Sequence, residues 1–491
     1  MDQETQRGAI SIASVSAQPA KLEQQEVEWQ KFGRYQIFLL AVVWMTQITV
    51  VSNVVFMVFG GLPAANSTTN KISSEANATK DEFYSIVAQF VGQDQSLKYV
   101  GALLTSLQLV GALLGALVGG QLSDRFGRRF NTWLWLCCTV LSGAGSAVCV
   151  DWCSMAAARL VIGFATGACD ASVIILAMEW MDSRYRLACQ TSLDCLNSVG
   201  FVWLATLAYF CRDWRLLTVV CNLQGLIPIV GYCLVLEPPT WLHGRSQLEP
   251  AEAVQLRHTL SRLSRWNAQD FTGVSLERKE GRTTRTKAQS GHWSYLKLVS
   301  SAHLAKRTSM LILSFLVTGT IGYALIFNIS NLFGNVYLNL SLLGAVNILS
   351  ALVTLFLRHP LNLGRRPMHQ LNLWGVAICL GALACLYHFE LGSRFPWSLT
   401  TLSLLGSVFS FPLWVVCNLY SGELYPTEMR TMGSGIGTVA ARLGGVLAPQ
   451  VLYTFQLWRP APSAICGLAA SANAVMAYAF LPETNNSELA V

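Results

Sequence analysis

Gly119-Gly120-Gln121-Leu122-Ser123-Asp124-Arg125-Phe126-Gly127-Arg128-Arg129 sets one acid and three arginines directly after a long apolar run, 101–118. Such a cluster is too costly to leave in hydrocarbon, so it is expected to form a short turn at a membrane surface. Basic residues beside helix ends favour the cytoplasmic side, which orients the hairpin. Working outward from this turn, the whole chain reads as a helical membrane protein.

Of the 491 residues, 53% are hydrophobic and only 12% are charged. Soluble domains carry roughly 25% charged residues, so composition alone points to the bilayer as solvent. The mean hydropathy of +0.42 agrees. A net charge of +7 does not call for nucleic acid as a partner, because the basic residues gather in loops assigned to the cytoplasm. The first 35 residues are polar and mixed in charge, without the apolar core of a cleavable signal.

A spanning helix needs about 20 mostly apolar residues. Runs of that kind occupy 36–59, 99–119, 131–150, 153–180, 193–211 and 216–236, then 309–329, 336–356, 371–387, 399–420, 432–455 and 464–481. The expected organisation is therefore a cytoplasmic tail (1–35), a six-helix half (36–236), a basic cytoplasmic linker (237–307), a second six-helix half (308–481) and a short cytoplasmic tail (482–491). The fold class is all-α, with twelve transmembrane helices in two pseudo-symmetric halves. Within the linker, 256–263 has the pattern of an amphipathic helix on the membrane face. The polar loop 63–98 carries two glycosylation sequons, at Asn66 and Asn77, and is assigned outside. The fourteen cysteines lie mostly in or beside apolar runs and show no metal-binding spacing. Cys149, Cys153 and Cys211 near the outer helix ends could pair, and the sequence leaves that open.

The 119–129 turn resembles the signature loop between the second and third helices of the major facilitator superfamily, with glycines, acid and arginines in order. Other segments resemble the organic cation/anion/carnitine transporter family within it. Glu423-Leu424-Tyr425-Pro426-Thr427-Glu428-Met429-Arg430 is similar to that family's loop before the eleventh helix. Met178-Glu179-Trp180 through Arg186, Glu237-Pro238-Pro239-Thr240-Trp241-Leu242 and Leu481-Pro482-Glu483-Thr484 fit its other signatures. There are departures. The outer loop is about half the family's usual length and lacks cysteine, and Pro238 and Thr240 replace a Ser and an Arg. In the second half the counterpart of the signature turn reads Leu361-Asn362-Leu363-Gly364-Arg365-Arg366, without the acid.

The resemblance implies a central cavity between the halves. Arg442 falls inside the eleventh run, at a position where anion and carnitine-like members of the family usually carry Arg and cation carriers Asp. A guanidinium there offers a planar fork for a carboxylate or sulfate. Asp170, mid-run in the fourth helix, has three readings: a proton-exchanging carboxylate, a partner for Arg442, or a protonated acid bonded to a neighbouring helix. Arg159 lies eleven residues earlier, three turns along the same face. Asn53, Trp203, Tyr323, Phe327, Trp414 and Tyr420 are the remaining candidate substrate contacts, the rings by stacking or cation–π attraction. Asp124, Arg125, Arg128, Arg129, Glu179, Arg186, Glu423 and Arg430 are candidate gating residues, with Glu179 expected to latch the arginines of the 124–129 turn.

These features point to a secondary-active or facilitative transporter of small organic ions, anionic or zwitterionic before cationic, working by alternating access. No Walker-type phosphate loop occurs, so ATP-driven pumping is not expected. A proton or sodium ion is a candidate coupling ion, and no cofactor or catalytic constellation is expected. The expected location is the plasma membrane. The alternative is a non-transporting receptor or ligand-binding protein on a transporter scaffold, motivated by the altered 361–366 turn.

Overall fold

The computed structural model describes residues 32–62, 83–90, 99–246, 250–267, 302–361, 364–425, 430–481 and 483. Among them, twelve long helices carry the architecture. In the first half these are α1 (Arg34–Val55, continued by Met57–Gly60), α2 (Val100–Phe126), α3 (Arg128–Gly145), α4 (Trp152–Glu179), α5 (Ser183–Cys211) and α6 (Trp214–Tyr232). The second half holds α7 (Ala302–Phe327), α8 (Val336–Leu361), α9 (Arg365–His388), α10 (Pro396–Glu423), α11 (Arg430–Tyr453) and α12 (Ala461–Phe480). Eleven of the twelve contain a stretch long and apolar enough to cross a membrane. The exception is α3, a short helix whose first turn contains Arg128, Arg129 and Asn131.

Local chemistry sets several helix starts. Gln36 accepts from the Gly33 N–H at 3.1 Å at the head of α1. Asp151 and Ser154 cap α4 reciprocally, each accepting from the other's N–H at 3.4 Å, and Asp213 accepts from the Arg215 N–H at 3.0 Å to open α6. Such caps satisfy N–H groups that have no partner within their own helix.

The signature turn is tighter than its sequence suggests. Residues 119–126 continue α2 as helix, and Gly127 alone makes the break, at φ +105°. Only glycine takes that conformation readily. The polar residues therefore sit on two helical turns that extend beyond the apolar part of α2. Likewise α5 begins at Ser183, ten residues before the apolar run at 193, because Arg184, Arg186, Gln190 and Asp194 interrupt its hydrophobicity without interrupting the helix.

Helices of one half pack in lipid mainly through shape and small residues, since the lipid tails are themselves apolar. Here α2 lies directly on α4, with Gly111 and Gly115 against the Leu160 and Phe164 carbonyls and Gly163 and Gly167 against those of Gln108 and Ala112. A methyl group at any of these positions would collide with backbone. In the second half α7 lies as close to α11, with Gly319 against the Ala441 carbonyl and Gly444 against that of Leu316.

The linker contributes helices Pro239–Ser246 and Pro250–Asn267. Leu256, Leu260 and Leu263, at i, i+4 and i+7, are buried against the first half beside Tyr35 and Trp180. Asn267 then accepts from the Tyr35 N–H at 3.0 Å and donates to Gln36 at 3.1 Å, tying this helix to the start of α1. All fourteen cysteines are free thiols, so Cys149, Cys153 and Cys211 are not paired.

Three apolar clusters fill the described part of the molecule. One belongs to the first half with its linker helix, and one to the second half. The third draws on both, joining Phe56, Phe59, Phe201 and Trp214 to Phe327, Leu340 and Leu343. It lies at the end of the bundle away from Asp124. There Tyr337 of α8 stacks on Phe59 at 5.3 Å and meets Tyr209 edge-on at 5.7 Å. Ser106 of α2 donates to the Val446 carbonyl at 3.2 Å and accepts from Gln450 of α11 at 3.0 Å.

Candidate functional site

The α2–α4 and α7–α11 contacts bring two opposite charges face to face across the halves. The Arg442 Nη2 donates to Asp170 Oδ2 at 2.7 Å, with both side chains mostly buried (17% and 22% exposed). Of the three readings the sequence left for Asp170, pairing with Arg442 is the arrangement found. Asp170 Oδ1 accepts from Gln47 Nε2 at 3.0 Å, and the same amide donates to Asn197 Oδ1 at 2.8 Å. Helices α1, α4, α5 and α11 thus converge on one polar centre. Taking such a pair out of water costs nearly what its attraction returns, and removing one partner typically costs about 3–5 kcal/mol. The centre keeps unused capacity: the Arg442 Nε–H and the Gln47 Oε1 are buried without a partner.

Aromatic residues of the second half border this centre. Tyr323 of α7 packs its ring on Gly445, one turn beyond Arg442. Phe327 lies nearly parallel to it at 6.2 Å and enters the cluster joining the halves. Trp414 of α10 lies against Gly322 of α7. The other candidates go elsewhere. Tyr420 is fully buried edge-on to His369 within the second half. Trp203 is 43% exposed and donates to Gln224 at 2.5 Å. Asn53 donates to Asn222 of α6 at 3.1 Å and to the Thr49 carbonyl at 3.0 Å. Arg159 is buried with its guanidinium 4.2 Å above the Phe56 ring, and its Nε and Nη2 have no hydrogen-bond partner.

Two residues of the polar centre, Gln47 and Asn197, were not singled out in the sequence, nor was Asp194 one turn before Asn197. For the two on α5 the signal was present as Gln190, Asp194 and Asn197 at i, i+4 and i+7. It was hidden because the apolar run begins only at 193, which places Asp194 at a helix mouth, whereas α5 has already made three turns there.

At the Asp124 end, Arg128 holds Asp124 at 2.5 Å and Glu179 at 3.0 Å, so Glu179 does meet an arginine of the turn. Arg129 donates through Nε to the Tyr232 carbonyl at 2.9 Å and through Nη2 to that of Cys233 at 3.2 Å. Arg125 lies 5.6 Å from the centre of the Phe126 ring. Glu237 accepts from the Arg129 N–H at 3.0 Å and the Phe130 N–H at 3.2 Å, capping α3. Burial raises the Glu237 carboxyl above its ordinary range, and the N–H donors at the start of α3 work against that shift. Arg186, Glu423 and Arg430 fall on described helices, but their side chains lie outside what the structure describes, as do the sequons at Asn66 and Asn77.

Comparison with known proteins places this geometry. The family model for "Sugar (and other) transporter" matches residues 54–490. Solute carrier family 22 member 7 of Bos taurus is 30% identical over 391 residues, covering 79% of this chain and 68% of that protein. Solute carrier family 22 member 6 of Rattus norvegicus is 30% identical over 390 residues, covering 78% and 68%. The organic cation transporter protein of Drosophila melanogaster is 27% identical, covering 88% of this chain and 77% of that protein. Among solved structures, a partially occluded inward-open conformation of the xylose transporter XylE from E. coli superposes with a TM-score of 0.66 at 15% identity. It covers 93% of this chain and 100% of that chain. The fold is therefore that of the major facilitator superfamily.

Proposed function

The chain belongs to the sugar (and other) transporter family and to solute carrier family 22, and we propose that it moves small organic ions across a membrane by alternating access. It is an integral, multi-pass membrane protein, and its family is one of transporters rather than enzymes. Anionic and zwitterionic solutes are favoured over cationic ones. The observation that carries this reading is the Arg442–Asp170 pair, the buried ion pair that bridges the two halves at 2.7 Å.

A substrate carboxylate or sulfonate would take the N–H donors of Arg442 that Asp170 does not use. A cationic group on the same molecule would compete for Asp170. Either event loosens the bond between halves, so binding is coupled to the rearrangement that alternating access requires. Tyr323, Phe327 and Trp414 would line the apolar side of this path. The cluster joining the halves at the Ser106 end supports a state closed on that side, with the Asp124 end facing the cytoplasm together with both termini. The Asp124–Arg128–Glu179 layer, with Arg125, Arg129, Arg186, Glu423 and Arg430, would then serve the inner gate. A proton or sodium ion is the candidate coupling ion. Glycans on Asn66 and Asn77 and residence in the plasma membrane complete the proposal.

The test is uptake in cells expressing the chain, using benzoate, tetraethylammonium and betaine as anion, cation and zwitterion. Wild type and Arg442→Asp are compared at matched surface expression. Saturable benzoate or betaine uptake that the mutation abolishes supports the reading. Cation uptake insensitive to Arg442→Asp sinks it, and specific binding without uptake by any solute would favour the receptor alternative.

A further inference from the structure

A third carboxyl group lies one helical turn from the polar centre, and the Arg442–Asp170 pair does not use it. Asp194 sits half-buried on α5, between Gln190 and Asn197 on one helical stripe. Asn197 is bonded through Gln47 to Asp170, so the stripe leads directly into the pair. Residues three or four apart on a helix face lie about 5–6 Å apart at Cβ, which puts Asp194 within reach of the same space. Its hydrogen-bond donor is the neutral amide of Gln190, at 3.4 Å. Among the described residues it makes no ion pair. The site therefore sets two carboxylates against one guanidinium.

A carboxylate withdrawn from water and left without a cation is costly. It also shares a helical stripe with Asn197, which Gln47 links to the Asp170 carboxylate, and two carboxylates facing one space disfavour each other unless a cation comes between them. A purely anionic solute would add to that repulsion. A solute carrying an ammonium or quaternary ammonium group would relieve it. Arg442 cannot do so while Asp170 holds it. We infer that Asp194 is the specificity-determining carboxylate that receives the cationic group of the substrate, while Arg442 receives its anionic group. This rests on the Arg442 reading above and narrows the favoured substrates to zwitterions bearing a fixed or protonated amine.

The experiment measures ligand-induced thermal stabilisation of the purified full-length protein, titrated with betaine, tetraethylammonium and benzoate. The variants are Asp194→Asn, Asp194→Glu and Arg442→Gln. For Asp194→Asn the half-saturating concentrations of betaine and tetraethylammonium should rise by about tenfold or more, the scale expected when one partner of a desolvated charge pair is removed. Benzoate should bind no more weakly than before, and Asp194→Glu should stay within about threefold of wild type for all three. Unmoved betaine and tetraethylammonium titrations in Asp194→Asn would overturn the inference. So would equal weakening of all three ligands, which marks a structural role, or a wild type that neither amine stabilises. Failure of the Arg442 reading looks different: betaine and benzoate titrations would survive Arg442→Gln unchanged.

Discussion

The two halves build the Asp124 end of the bundle on the same plan and then diverge in its charge, Asp124-Arg125 against Leu361-Asn362. In the first half Glu237 caps α3 through the Arg129 and Phe130 N–H groups, and Arg129 grips the carbonyls that end α6. The second half repeats this, with Glu483 accepting from the Arg365 and Arg366 N–H groups at 2.8 and 3.1 Å and Arg366 gripping the Tyr478 carbonyl of α12. Above that shared base the first half carries an ionic layer, Asp124–Arg128–Glu179. The second half carries Leu361 four residues before Arg365, where the first carries Asp124 four before Arg128. The part kept twice satisfies backbone donors and acceptors at helix ends. The part that varies is side-chain charge.

The shared base should carry the larger effects. Glu237→Ala and Glu483→Ala each strip two N–H groups of a partner in a half-buried turn, at a cost of about 1–3 kcal/mol. Thermal melts in detergent should fall by similar amounts for both. A large loss for Glu237→Ala beside no loss for Glu483→Ala would break the comparison. Next in size is Arg128→Ala, which removes the cation that Asp124 and Glu179 share. Initial uptake rates should drop roughly five- to tenfold with a smaller loss of melting temperature than Glu237→Ala gives, since one unit of ion pairing is about 1–3 kcal/mol when partly buried. Asp124→Asn should do less, because its side chain is 71% exposed and surface pairs contribute about 0–1 kcal/mol. The smallest effect belongs to Leu361→Asp, which supplies the missing acid at i,i+4 to Arg365. Such a pair contributes a few tenths of a kcal/mol, so uptake should change by no more than about twofold. A change as large as that of Arg128→Ala would mean that the second half's lost acid controls the cycle.

The twelve helices were legible in the sequence because apolar length is a strong signal, and α3 was found despite its polar first turn. The boundaries were less so where polar residues sit on a continuing helix, as at Gly119–Phe126 and at Ser183–Leu193. Arg442 and Asp170 stood out as charges inside apolar runs. That they meet was not decidable from spacing, because 272 residues separate them. Asp194 was passed over for a different reason: polar neighbours made its helix look as though it had not yet begun. Buried amides such as Gln47 and Asn197 carry no charge to mark them. Their role emerges only when four helices converge.

The central claim is that Arg442 and Asp170 form a substrate site and not merely a brace between halves. Exchanging the charges tests it most directly, by measuring betaine uptake for Arg442→Asp, Asp170→Arg and the double exchange at matched surface expression. A brace depends on attraction alone, whereas a site depends on which side carries which charge. The account expects uptake to fall at least tenfold in each single variant and to stay lost in the double exchange, even though the ion pair is restored. Recovery of wild-type uptake in the double exchange would contradict it.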